Sequence, residues 1–460
     1  MDNKALERAS SYIKGWLRYG YERGDTPGIV VTIAHKDKLV LNEAYGYADL
    51  EKKTPMSPSH LFRIASHSKT FTATAIMQLQ EQGKLRIDDY VVEYLPWLNQ
   101  HKDKRWAKVT IRQLLSHSAG VIRDGTSIDY WNVEKPFPSE EQFKQDLLKA
   151  DLVTDNNTKL KYSNYGYTLL GMLIETVSGK NYSQYVAENI VNPLSLKNTD
   201  SEFNPKLKDK FVTGYSRLDN KKQRLPIEPI DTRIMASATG FYSNAEDLCK
   251  YFSAHMPRSG KLLDDESKKE MQRSQWEAEN SDTKEGYCLG LDYEIIGKRR
   301  ALGHGGGFPG NITKSYFDPK DGLIVIVLTN ANGSWAGYMG MNIIKIIDYF
   351  QNNADEPKWQ MFAGRYMDLW WDADIVAVGE KLIAASAGSW EPFENPAELE
   401  HIRDNTFKIT KTDSWSAVDE TVEFKMSGDK VEAMIYAGAT MLPEPDYLQK
   451  VYSKKTIGNT

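Results

Sequence analysis

Apolar residues at the start of the chain, Leu6, Ile13, Trp16 and Leu17, recur at near-helical spacing and predict an amphipathic helix over 4–22. The period then shortens. Ile29–Ala34 and Leu39–Tyr45 are β-rich runs on either side of a charged "HKDK", which reads as a hairpin. From about 60 to about 250 the pattern is mostly helical. "KTFTATAIMQLQEQGKL" is one helix closed by Gly83, and "TIRQLLSHSAG" a second ending at Gly120. "SEEQFKQDLLKADL", "YGYTLLGMLIETVSGK" and "NAEDLCKYFSAHM" follow. Strands return near 286 in "GYCLGLDYEI", "RRALGHGGG", "NITKSYFDP" and "DGLIVIVLTN", the last two joined by a turn with Pro319 and Gly322. "MGMNIIKIIDYF" then makes a helix.

This order predicts an α/β (α+β) fold over 1–352: an antiparallel sheet built from both ends of the segment, flanked by helices, with an all-helical lobe inserted over about 60–250. The polar stretch 353–357 is a linker candidate. Beyond it, 358–460 turns into short β-type runs with frequent turns, an all-β second domain of barrel or sandwich type. Trp370 and Trp371 are expected in its core.

Charge narrows the function classes. With 58 basic against 63 acidic residues the net charge is −5, and no basic run is long enough to track phosphates, so no nucleic-acid partner is expected. No apolar run approaches the roughly 18 residues of a membrane span. "MDNKALERASSYIKGWLRYGYERG" lacks the apolar stretch of a signal peptide. The expected location is cytoplasmic if the chain is complete, and periplasmic or secreted if a leader has been removed. Cys249 and Cys288, without C-x-x-C spacing, read as buried free thiols. Eight scattered histidines without H-E-x-x-H argue against a metal site.

S-x-x-K occurs several times, among them at Ser11–Lys14, Ser66–Lys69 and Ser427–Lys430. Only Ser66 stands at a helix start ahead of small and apolar residues. A serine hydroxyl is a poor nucleophile without a neighbouring base. Residues three apart share a helix face, which brings the Lys69 amine to Ser66 Oγ, and burial lowers a lysine pKa towards that of a useful base. Read alone, the pair is more simply a capping serine beside a solvated lysine. The partners decide. Y-x-N occurs at Tyr130–Asn132, Tyr162–Asn164 and Tyr242–Asn244. The middle copy opens a strongly apolar helix, where Tyr162 would present its phenol to the nucleophile and Asn164 would hold a substrate amide. The third caps a helix through Ser243 or Asn244. "ALGHGGGFPG" supplies His304-Gly305-Gly306, and three consecutive strand glycines call for close approach, best explained by a ligand backbone. His67 is expected to pack or face solvent, and His117 to make a structural polar contact.

Taken in order, these motifs resemble the serine β-lactamase-like superfamily of class C β-lactamases, penicillin-binding peptidases, D-aminopeptidases and family VIII esterases. "FRIASHSKTFTA", "TIRQLLSHSAGV", "YSNYGYTLLG", "ATGFYSNAEDLCKYF", "YCLGLDYE" and "GHGGGFPGNITKSYFDPKDGLIVIVLTN" all resemble family segments across about 1–352. The resemblance implies Ser66 as nucleophile, Lys69 and Tyr162 as the base system, and Asn164, Gly305 and Gly306 as substrate-binding groups. It implies an oxyanion hole from the backbone N–H groups of Ser66 and Gly307, and no cofactor; the expected catalytic set adds His304, helping Tyr162 to activate the water that releases the acyl group. β-Lactamases and D,D-carboxypeptidases usually carry lysine where this chain has His304, and imidazole is only partly charged near neutrality. The H-G-G form with an added β domain is more similar to D-aminopeptidases with lipocalin-like C-terminal domains. The expectation is therefore a serine hydrolase of small amides, peptides or esters, favouring D-amino-acid peptides. A carboxylesterase, a β-lactamase or D,D-peptidase, and an idle peptidoglycan- or partner-binding protein are the alternatives. Self-association is left open.

Overall fold

The computed structural model describes residues 1–278, 284–413 and 416–453, so the end of the β segment, 454–460, lies outside the described residues. By contact the chain divides into Met1–Gly24 with Asn342–Thr460, and Asp25–Met341. Helix α1 (Asn3–Arg23) thus groups with the C-terminal residues, although it lies within the 1–352 segment read as one domain.

In the unit Asp25–Met341, chain ends meet in one antiparallel sheet. Its strands are β1 (Gly28–His35), β2 (Lys38–Asp49), β3 (Thr54–Pro55), β4 (Trp276–Glu277), β5 (Glu285–Tyr287), β6 (Asp292–Ile296), β7 (Arg299–Phe308), β8 (Asn311–Asp318) and β9 (Leu323–Thr329). The order β3-β2-β1-β9-β8-β7-β6-β5-β4 puts the first strand beside the last, with Ile29 opposite Thr329. Every residue of β1 and of β9 is buried, in keeping with mostly apolar strands covered on both faces. Lys36 and Asp37 turn the β1–β2 hairpin at φ +48° and +64°, the two-residue turn whose twist suits paired strands.

Between these halves lie α2 (Ser68–Glu81), α3 (Asn164–Ser178) and α4 (Ala245–Ala254). Gly179, at φ +69°, ends α3. Asn244 caps α4 by accepting from Asp247 N, which resolves the choice between Ser243 and Asn244. The helix read over "TIRQLLSHSAG" is shorter than expected, Ile111–Leu115. Its serines explain the early stop: Ser116 Oγ turns back to Arg112 O, Ser118 N bonds Gln113 O, and His117 lies at φ +58°. Helix α2 is buried all along Ser68–Leu79. Its threonines stay satisfied there, Thr72 Oγ1 donating to Ser237 O at 2.6 Å and Thr74 Oγ1 lying 3.0 Å from Tyr251 OH. Helix α5 (Ala336–Asn352) closes the run of elements.

The second unit contains a closed barrel of β10 (Gly364–Met367), β11 (Asp372–Val378), β12 (Lys381–Ser386), β13 (Ala397–Arg403), β14 (Thr406–Lys411), β15 (Thr421–Ser427), β16 (Lys430–Tyr436) and β17 (Ala439–Pro443), followed by α6 (Glu444–Tyr452). Alternate residues fill its interior: Ala373, Ile375 and Ala377 on β11, Leu382 and Ala384 on β12, Phe407 and Ile409 on β14. Trp370 is not in that core. It is 90% exposed at the tip of a turn, where Asp368 Oδ1 accepts from the N–H groups of Trp370 and Trp371. The turn separates β10 from β11, and only Trp371 reaches inward, its ring centroid 5.0 Å from that of Tyr436. Among the described residues no helix is long and apolar enough to cross a membrane.

Candidate active site

The turn into α2 presents one serine. Ala65 holds φ +48°, an uncommon value for a residue with a Cβ, and strain of this kind gathers at functional sites. Around it Ala65, His67, Ser68 and Lys69 are buried, and Ser66 alone is half-exposed. Ser68 secures the turn, its Oγ donating to Ala65 O at 2.5 Å and accepting from Phe241 N at 3.0 Å. His67 does not face solvent. It is fully buried, with Nδ1 3.0 Å from Ile64 O and Nε2 2.9 Å from Ser315 Oγ, and it ties α2 to β8.

Two donors converge on Ser66. Lys69 Nζ lies 3.2 Å and Tyr162 OH 2.9 Å from Ser66 Oγ. A second Lys69 proton goes to Ala238 O at 2.8 Å. Ser163 explains how Tyr162 arrives there. It caps α3 by accepting from Gly166 N, while its own N–H donates to His117 Nδ1 at 3.1 Å. His117 then packs 4.2 Å from the Tyr162 ring, so its polar contact positions the phenol. Burial pushes Lys69 down to about 7; Asp124 opposes this and Arg123 assists it. Burial raises Tyr162 above its ordinary value, against the hydrogen bond to Ser66. The site therefore holds a lysine that titrates near neutrality and a tyrosine that stays a phenol.

Asn164, the first residue of α3, donates through Nδ2 to Asp124 Oδ1 at 2.6 Å. His304 is held by its own hydrogen bonds. Its Nδ1 donates to Gly305 O at 2.6 Å, which leaves Nε2 to accept from Tyr287 OH at 3.0 Å. Its ring centroid is 6.4 Å from that of Tyr162. Burial, then the Lys69 charge, pushes His304 down to about 3, so the imidazole is neutral at physiological pH.

The glycines divide by surroundings. A Cβ on Gly306 would stand 2.3 Å from both Ile64 O and Thr313 Oγ1, so the chain's own backbone demands this glycine without a ligand. A Cβ on Gly305 would meet nothing nearer than Lys314 Cδ at 3.7 Å. Gly306→Ala is accordingly expected to lower the melting temperature by several degrees, and Gly305→Ala by no more than about one degree, in parallel thermal melts. Strand β6 pairs with β7 only as far as Gly303 among the described residues, and Gly305 N–H turns to that open edge, donating to Asp292 Oδ2 at 3.2 Å. Strand periodicity directs the Gly307 amide, two residues on, to the same edge. Sequence reasoning passed over Asp124, Tyr287 and the Ala238 carbonyl. Asp124 and Tyr287 lie in or beside quoted segments, but no spacing rule marks them, because their partners are far along the chain.

Over residues 13–343 the chain matches the beta-lactamase family model. It belongs to the beta-lactamase family. It is 31% identical over 187 residues to Protein flp of Staphylococcus aureus (strain MW2), a match covering 40% of this chain and 36% of that protein. This family member thus spans little more than a third of that curated relative's length. The octameric penicillin-binding protein homologue from Pyrococcus abyssi superposes with a TM-score of 0.64 at 24% identity, covering 96% of this chain and 100% of that one. The D-amino acid amidase from Ochrobactrum anthropi SV3, complexed with L-phenylalanine amide, gives 0.62 at 24% identity, covering 75% of this chain and 97% of that one. At these identities the structural likeness is one of fold, and it bears out the β-lactamase-like fold with an added barrel.

Proposed function

We propose that this protein is a serine hydrolase that passes through an acyl-enzyme on Ser66 and cleaves small amides, peptides or esters, with D-amino-acid peptides favoured over β-lactams. One observation carries the reading: Ser66 Oγ receives Lys69 Nζ and Tyr162 OH together, at 3.2 and 2.9 Å. With its pKa near 7, Lys69 is in part a neutral amine at neutral pH. That amine takes the Ser66 proton as Oγ attacks the carbonyl carbon. Tyr162 gives its proton to the departing nitrogen or oxygen and recovers one from the Lys69 ammonium. Water then attacks the acyl ester, and the same pair takes up its proton and returns one to Ser66. The amides of Ser66 and Gly307 are assigned to the developing oxyanion. A neutral His304 offers no fixed charge to a substrate carboxylate, which supports aminoacyl substrates over β-lactams. The fold shared with a D-amino acid amidase is in keeping with this choice.

The test is covalent. A fluorophosphonate probe is expected to add one equivalent, and peptide mass spectrometry to place it on Ser66. An activated ester should give a burst of product equal to the enzyme concentration. Labelling of a different serine, or turnover with no acylated Ser66 under acid quench, would sink the proposal.

A further inference from the structure

The histidine inside the serine motif has no part in the proposed proton transfers, yet it is fully buried and both its ring nitrogens are engaged. Burial, then the nearby His304, pushes His67 down to about 3, so its ring is neutral at physiological pH, with one nitrogen donating and one accepting. Nδ1 lies 3.0 Å from Ile64 O, and a carbonyl oxygen can only accept, so Nδ1 carries the proton. Nε2 is then the acceptor, and the Ser315 hydroxyl 2.9 Å away is its donor. With that proton spent, Ser315 Oγ accepts the His304 N–H at 3.3 Å. One directed chain thus runs from the His304 backbone through Ser315 and the imidazole to Ile64 O.

The two ends of this chain frame the site. Ile64 O also accepts from the His67 backbone N–H at 3.1 Å, so the histidine closes the turn around Ser66 twice. In the β7–β8 register Ser315 stands opposite His304 and Thr313 opposite Gly306, and Thr313 Oγ1 lies 3.3 Å from His67 Nδ1. Gly306 packs on the same turn, since a Cβ there would fall 2.3 Å from Ile64 O and 3.1 Å from His67 Nδ1. Ring and glycine together hold turn and strand at a fixed spacing. Ser66 lies within that turn, and Gly307, the exposed residue after the glycine, lies on that strand. We propose that His67 is a positioning residue: it sets the separation of the Ser66 and Gly307 amides and so fits the pair to an oxygen anion rather than a larger one. This rests on the acyl-enzyme reading and its assignment of those amides.

Two esters that differ in one atom test it: p-nitrophenyl butyrate, and its thiono analogue with C=S in place of C=O. Attack on the second puts the negative charge on sulfur, which is larger and a weaker hydrogen-bond acceptor. Each kcat/KM is divided by the ester's hydroxide rate constant. The wild type is expected to favour the C=O ester at least about tenfold. His67→Ala should lower kcat/KM on the C=O ester about 10²-fold, the scale of losing one oxyanion donor, and on the C=S ester by less than about tenfold. The ratio then falls towards one. Should His67→Ala fail to fold, Ser315→Ala, which removes the donor to Nε2, must lower the ratio in its place. A wild type without the preference overturns the inference. So does a variant that loses equally on both esters, the result expected if the ring only supports the fold or the Ser66–Lys69 pair. In parallel, the fluorophosphonate adduct is mapped on the wild type. An adduct on another serine removes the acyl-enzyme reading, and this inference with it, whatever the ratio does.

Discussion

Ser66→Ala is expected to lower kcat/KM for p-nitrophenyl butyrate at least about 10⁴-fold, to the level of solution hydrolysis helped only by binding. The methyl group cannot form the acyl bond, and neither remaining partner replaces it. Tyr162 stays a phenol because burial disfavours its anion, and the Lys69 amine has no serine proton to accept. The fold should be indifferent to the change. Ser66 is half-exposed, and the turn is secured by Ser68, through Ala65 O and Phe241 N, rather than by Ser66. Melting temperatures of the two proteins should therefore agree within about two degrees. Full activity in the variant would end the case for this serine. A matching fall in melting temperature would mean that the loss is structural and that the kinetics say nothing about nucleophilicity.

How far the sequence carried the reading depended on the range of each interaction. Local signals were sound: the hairpin around Lys36–Asp37, the cap at Asn244 and the spacing of Ser66 to Lys69 are contacts between near neighbours. The ordered motifs also named Tyr162, which reaches Ser66 from far along the chain. What stayed hidden is the long-range polar wiring. That Asn164 spends a donor on Asp124, that His304 is closed off by Tyr287 and Gly305, and that Lys69 uses a proton on Ala238 O are facts of packing. No periodicity encodes them. Gly306 shows the same limit. The strand pattern marks it as a glycine that needs a reason, but the crowding atoms, Ile64 O and Thr313 Oγ1, come from two other segments. The burial tendency of aromatic side chains puts Trp370 inside the barrel, but an Asp368 turn two residues earlier swings it out.

Lys69→Met should abolish catalysis and at the same time stabilise the fold. Lys69 is fully buried, and its pKa falls from 10.5 to about 7, chiefly because burial penalises the charged form. Between those two values the unfolded chain holds a proton that the folded chain has released. Stability therefore rises with pH from about 7 to 10.5. Below about 7 both states are protonated, and the whole cost of the buried ammonium, on the order of a few kcal/mol, weighs on the native state. Methionine fills the same space without a charge. It gives up the hydrogen bonds to Ala238 O and Ser66 Oγ, and leaving the buried carbonyl unpaired costs about 1–3 kcal/mol, less than the penalty it removes. The variant should thus melt several degrees higher than the wild type at pH 6, with the gain fading as the pH approaches 10.5. Wild-type kcat/KM on a neutral ester should fall below about pH 7, because protonation removes the amine that accepts the Ser66 proton. In the methionine variant the remaining rate should lose that limb and lie at least about 10³-fold lower. Chemical denaturation at pH 6 and pH 9, beside pH–rate profiles of both proteins, measures the two halves together. Loss of stability at pH 6 would show that the lysine is structural, and an unchanged pH profile would show that the base lies elsewhere. A more stable and inactive protein is the result expected of a charge kept in the core for its chemistry.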